Sequence, residues 1–219
     1  MRVNTDSKIG VMLVNLGTPD SPAVKDVRKY LREFLMDARV VDVPAVLRFI
    51  LVNGIIAPFR APKSAKVYQE VWEERGSPLK FYGEDVRDML QEKLGEEYYV
   101  ELAMRYQNPS IASVLDKMRK IDLEKIIVIP LFPQYASATT GSVQEKVMEI
   151  VRKWQVVPEI SFVHNFYDHP IFIKTFSEIG KKYLAERNYD HIIFSYHGLP
   201  ERQIRRADDY GNCLKAAKA

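Results

Sequence analysis

The chain has 219 residues, 47% of them hydrophobic, enough for one large domain with a proper core or for one domain plus part of another. Its net charge of +3 comes from 32 basic and 29 acidic residues that are intermixed, whereas a nucleic-acid partner would call for a clustered basic face. The single cysteine, Cys213, excludes an intrachain disulfide and a cysteine-based zinc site, and it fits a reducing cytoplasm.

The opening residues MRVNTDSKIG lack the apolar core of a signal peptide. Ile9–Asn15 then reads as a strand, and Ala23–Met36 as an amphipathic helix with Val24, Val27, Leu31, Phe34 and Leu35 on one face. Ser21 and Pro22 supply its expected N-cap and first residue. Val43–Phe59 is strongly apolar but is interrupted by Arg48, Asn53 and Gly54, at the short edge of what spans a bilayer. A soluble protein is therefore expected. Helical patterns follow at Gly83–Leu94, Ser110–Arg119, Ser142–Trp154 and Ile171–Arg187. Between them, Tyr98–Met104, Lys125–Leu131, Glu159–Val163 and His191–Tyr196 read as strands.

This alternation predicts an α/β fold, a parallel sheet flanked by helices. The runs VMLVN, IIVIPL and IIFSY are short and continuous, as in strands covered on both faces. VMLVNLGTP and IIFSYHGLP both run from an apolar strand into a turn with Gly and Pro, which suggests two similarly built lobes. Residues 1–187 would form the first lobe and 188–219 the start of the second. A lone strand makes no lobe, so that last part must lean on lobe one, pair with another chain, or be poorly ordered.

The sequence contains no phosphate loop, no dinucleotide glycine fingerprint and no nucleophile elbow. Its most distinctive stretch is IIFSYHGLPER, residues 192–202, which places His197 where an apolar run meets a turn. Ligands of open α/β sheets bind beyond the carboxyl ends of the strands, and a histidine there can ligate a metal or move a proton near neutral pH. The plainer alternative is a histidine that merely ends a strand. Arg105 and Tyr106 follow Tyr98–Met104 at its carboxyl end, where a guanidinium is suited to forked carboxylate recognition. Gln134, Tyr135, Ser137, Thr139, Thr140 and Ser142 crowd the loop before a helix, fit either for anion binding at a helix N-terminus or for simple capping. His164 and His169 read as turn residues, with His164 facing the same crevice as the alternative, and Trp72 and Trp154 read as packing residues.

SYHGLPER and the tail Asp208, Asp209, Tyr210 and Cys213 closely resemble the signature of the ferrochelatase family. LVNLGTP (13–19), FLMDARVVDVP (34–44), GSPL (76–79), MRYQNPSI (104–111) and FPQYASATTGS (132–142) resemble further segments of that family, in its order. The resemblance implies a chelatase-like fold and insertion of ferrous iron into protoporphyrin IX or a close porphyrin, with no cofactor beyond the iron substrate. It implies that His197 is the active-site histidine, abstracting a pyrrole proton or guiding the metal. It also implies that Leu16, Thr18, Arg105, Tyr106, Tyr135 and Ser137 contact the porphyrin, Arg105 through a propionate. Val43–Phe59 corresponds to the lip of the pocket, which touches the membrane surface in some members; ordinary core is the alternative. A cytoplasmic protein, peripheral on the inner membrane face, follows. Members of the family run on past Ala219 and carry an essential glutamate there. Two other functions stay open: a non-catalytic porphyrin- or haem-binding module, and a cobalt or nickel chelatase for another tetrapyrrole.

Overall fold

The computed structural model describes residues 8–121 and 123–207, so Asp208, Asp209, Tyr210 and Cys213 lie outside the described residues. Four strands, β1 (Lys8–Gly17), β2 (Tyr98–Tyr106), β3 (Leu123–Pro130) and β4 (Glu159–Phe162), form one parallel sheet in the order β2-β1-β3-β4. Leu13 pairs with Leu102 on one side and Ile129 on the other, which places β1 inside the sheet.

That position explains the apolar run of β1. Met12 and Val14 point into a core with Val114, Leu115, Val143 and Val147, from α5 (Ile111–Met118) and α6 (Ser142–Val151). Val11 and Leu13 join Val100, Leu102 and Met104 on the opposite face, under Leu90 and Leu94 of α4 (Pro78–Leu94). Successive side chains thus serve opposite faces. Each fully buried side chain of this size contributes about 1.5–3 kcal/mol of burial.

A third cluster brings Val27, Tyr30, Leu31 and Leu35 of α1 (Val24–Met36) against Val52, Ala61, Ala65 and Tyr106. Helix α1 starts later than the sequence suggested. Its N-cap is Ala23, while Ser21 accepts from the Ala23 N–H at 3.2 Å and donates to Asp26.

Most of Val43–Phe59, which by its sequence lies at the short edge of what spans a bilayer, belongs to a longer helix. Helix α2 (Ala45–Ile50), a π-helical turn (Leu51–Ile56) and α3 (Ala57–Val71) run on as one 27-residue helix, long and apolar enough to cross a membrane by length and composition. The helix passes through Pro58 and Pro62, each of which lacks a backbone N–H donor. Ala57, Ala61 and Ala65, four residues apart, are buried, and Ala61 and Ala65 lie in the α1 cluster. Val46, Leu47, Phe49, Ile50, Ile55 and Phe59 are exposed, so most of the stretch is apolar surface rather than core.

The strand expected at His191–Tyr196 does not form. Ile192, Ile193, Phe194 and Tyr196 are exposed and make no ladder. A strand needs a neighbour to satisfy its backbone groups, and none of the four described strands pairs with this segment. Helix α7 (Pro170–Leu184) buries none of its residues, so dense packing ends after β4, ahead of residue 187. Helix α8 (Glu201–Ala207) closes the described chain.

Candidate functional site

The carboxyl ends of β1 and β3 meet in one place. Beyond β1 the chain turns at Gly17, whose φ of +116° and whose approach to β2 both demand glycine: a Cβ there would lie 2.0 Å from the Tyr106 carbonyl oxygen. Leu16 is left half-buried at the mouth of the turn. Thr18 is buried and donates to Ser77 Oγ at 2.8 Å. Beyond β3, Leu131 N–H still reaches the Val14 carbonyl at 2.8 Å before the chain leaves the sheet as residues 132–136.

These two turns form the wall of a cavity of about 470 Å³. Leu16, Phe132, Pro133, Gln134, Tyr135, Ala136 and Thr139 line one side, and Tyr196, His197, Leu199 and Ile204 the other. The second side is a strap that leans on lobe one, the first of the outcomes the sequence allowed. Arg202 donates to the Asp42 carbonyl at 2.9 Å and pairs with its carboxylate at 3.4 Å, and Gln203 donates to the Val40 carbonyl at 3.3 Å. His197 is therefore exposed yet set over the strand ends, reached by an irregular strap rather than a buried strand. Among the described residues no three histidine, cysteine or acidic side chains gather as a metal cage.

Tyr135 stacks on His164, ring centroids 4.4 Å apart and planes 14° from parallel. Tyr135 also lines a second, more polar cavity of about 520 Å³ with Arg39, Asp42, Ser137, Glu145 and Gln203. There Arg39 Nη1 donates to Ser137 Oγ at 2.9 Å and its Nε meets Glu145. Gly141 makes this possible, since a Cβ would sit 2.9 Å from the Tyr135 hydroxyl and 3.2 Å from Arg39 Nη1. His169 caps α7, its Nδ1 accepting from the Ile171 N–H at 3.3 Å, a turn role as expected.

Arg105 and Tyr106 line neither of these two cavities and are held in a polar network. Tyr106 is wholly buried, and its hydroxyl donates to Asp37 Oδ2 at 2.9 Å. Arg105 Nη2 donates to the same oxygen at 2.6 Å, and its Nε to Ser142 Oγ at 2.7 Å. Ser142 Oγ in turn donates to Asp37 Oδ2 at 2.5 Å, so its hydroxyl serves this network and caps no helix. Burial alone would raise the Asp37 pKa. The Ser142 hydroxyl, the Arg39 N–H, the Arg105 charge and the Tyr106 hydroxyl outweigh it and hold the carboxyl below its usual value. Burial likewise pushes the Tyr106 phenol well above its usual value. The pair thus joins the end of β2 to the end of α1 and the start of α6. Thr140 is buried with an unpaired hydroxyl, and Thr139 donates to the Ala136 carbonyl at 3.3 Å.

Sequence reading missed Asp37 and Arg39 as site residues, although both lie in the quoted segment FLMDARVVDVP. Nothing in that segment's periodicity shows that Asp37 turns inward to Arg105 while Arg39 faces Ser137 and Glu145.

A parallel α/β sheet flanked by helices is the open-sheet α/β class, in which the crevice over the carboxyl ends of the strands is the usual place for a ligand. The chain belongs to the ferrochelatase family, whose profile matches residues 8–219. It is 44% identical over 198 residues to a ferrochelatase of Legionella pneumophila (strain Paris), covering 90% of this chain and 59% of that protein. It is also 44% identical over 204 residues to a ferrochelatase of Coxiella burnetii (strain Dugway 5J108-111), covering 93% of this chain and 56% of that one. The chain thus spans somewhat more than half the length of these relatives.

Proposed function

We propose that this chain forms the porphyrin-holding lobe of an enzyme that inserts ferrous iron into protoporphyrin IX or a close porphyrin. The carrying observation is the cavity between Leu16, the 132–139 loop and His197, in a chain of this family. Its lining is mostly apolar and aromatic, which suits a flat macrocycle. Leu16 and Tyr135 bear on the ring. Ser137 with Arg39, in the adjoining polar cavity that shares Tyr135, receives a propionate. Arg105, Tyr106 and Thr18 hold the wall rather than touch the substrate.

Insertion requires two pyrrole protons to leave as the metal sheds its water. His197, at the cavity mouth, takes a proton or passes the ion to the pyrrole nitrogens, which supply the remaining ligands. Iron is substrate here, and no further cofactor enters the reading. The exposed apolar face of α2–α3 suits contact with a membrane surface, and that supports reading the protein as peripheral on a membrane.

The test is spectroscopic, following protoporphyrin with this chain and then added ferrous or zinc ion. Binding followed by insertion that His197→Ala abolishes supports the full reading. Binding without insertion restricts it to a porphyrin-binding module, and absence of binding refutes it.

A further inference from the structure

A second groove lies on α1, sharing no lining residue with the cavity at His197. It measures about 460 Å³ and is lined by Lys25, Arg28, Lys29, Arg32, Glu33 and Gln107. The four cations are spaced three, one and three residues apart, which puts them on one helix face. Like charges at such spacing repel, and Lys25 sits in the first turn of α1, where the helix dipole also disfavours positive charge. Such a cluster is costly when empty.

The available carboxylates do not cancel it. Glu33 accepts from the Gln107 N–H at 3.0 Å and from its side-chain amide. Asp20 pairs with Lys29 at 3.3 Å and accepts from Asn108 at 3.0 Å, and Asp26 receives the Ser21 hydroxyl. Among the described residues no ion pair engages Lys25, Arg28 or Arg32. Four cations against Glu33, Asp20 and Asp26 leave a net positive charge.

Two polar atoms add a second observation. Arg28 Nε is buried without an acceptor, and Gln107 is 5% exposed with its Oε1 buried and without a donor. Buried unpaired polar atoms cost free energy, so both point to a missing partner. That partner must accept from arginine and also donate to an amide oxygen. We propose that this groove binds a dianionic oxyanion that keeps one hydroxyl, of the hydrogenphosphate type. Sulfate matches the charge and lacks the hydroxyl.

Calorimetric titration of the whole chain with sodium phosphate, at fixed ionic strength, tests this. The expected result is saturable binding at one site, at least tenfold weaker for sulfate and at least tenfold weaker in the Arg28→Gln, Arg32→Gln double variant. Lys117→Gln, which removes a cation paired to Glu101 elsewhere, should leave it unchanged. Circular dichroism checks that each variant folds, and protoporphyrin binding should be unaffected by the double variant, which separates this site from the His197 cavity. Vesicles containing phosphatidic acid distinguish the source: Arg28-dependent co-sedimentation that phosphate competes away assigns the phosphate to a lipid headgroup, and its absence assigns it to a free ion. No saturable phosphate binding, or equal binding by the double variant, overturns the proposal.

Discussion

The Arg105 guanidinium lies 2.6 Å from the Asp37 carboxylate, the two side chains 13% and 5% exposed. Breaking such a pair from one side leaves an uncompensated buried charge. Arg105→Ala is therefore expected to destabilise the chain by about 3–5 kcal/mol, measured by urea unfolding. Asp37→Asn keeps the shape but leaves the Arg105 cation uncompensated, and should cost a similar amount.

The same pair sets an acid limb. The Asp37 carboxyl is held below its usual value when folded, so its contribution is complete above the unfolded pKa near ~3.9 and is lost as pH falls through the lower folded value. Thermal melts between pH 2.5 and 7 should show a shallower decline below about pH 4 in Asp37→Asn than in the parent. Identical acid limbs would contradict the assignment.

Gly17 should tolerate no side chain. Gly17→Ala meets both a left-handed φ and the Tyr106 carbonyl, and is expected to cost about 2–4 kcal/mol by urea unfolding. Gly54→Ala, where a Cβ meets nothing within 4 Å and the backbone is helical, should be neutral or slightly stabilising.

The two arginines should separate in their effects. Arg39→Ala is expected to weaken porphyrin binding about tenfold with the melting temperature within a few degrees of the parent. Arg105→Ala should act mainly on stability. If Arg105→Ala proves stable yet loses porphyrin, the propionate contact belongs to Arg105 after all.

The long helix makes a paired prediction. Phe49→Ser with Phe59→Ser should reduce co-sedimentation with phospholipid vesicles and leave stability within about 0.5 kcal/mol, because both rings are exposed. Ala61→Leu, on the buried stripe, should cost about 1–3 kcal/mol through overpacking against α1.

Four of the five strands were legible because the sheet buries both faces of β1, and a short continuous apolar run records that directly. The fifth, IIFSY, carries the same signal but lacks a neighbour to pair with, a condition no local pattern contains. The apolar run read from the sequence ends at Phe59, whereas the helix continues to Val71 because Ala61 and Ala65 pack against α1. His197, Leu16 and Tyr135 reach one cavity, as their places at turns suggested. Arg105 and Tyr106 also follow a strand end, but α1 delivers Asp37 to that point from 68 residues away in sequence, and the guanidinium turns inward to meet it.

The most direct test of the account is titration of protoporphyrin into this chain, read by its absorbance, with Tyr135→Ala, Leu16→Arg and Arg32→Gln alongside. The account predicts one saturable site, weakened at least tenfold by Tyr135→Ala and by Leu16→Arg and untouched by Arg32→Gln. Equal binding by all four proteins would contradict it, because the porphyrin would then sit somewhere other than the cavity beneath His197.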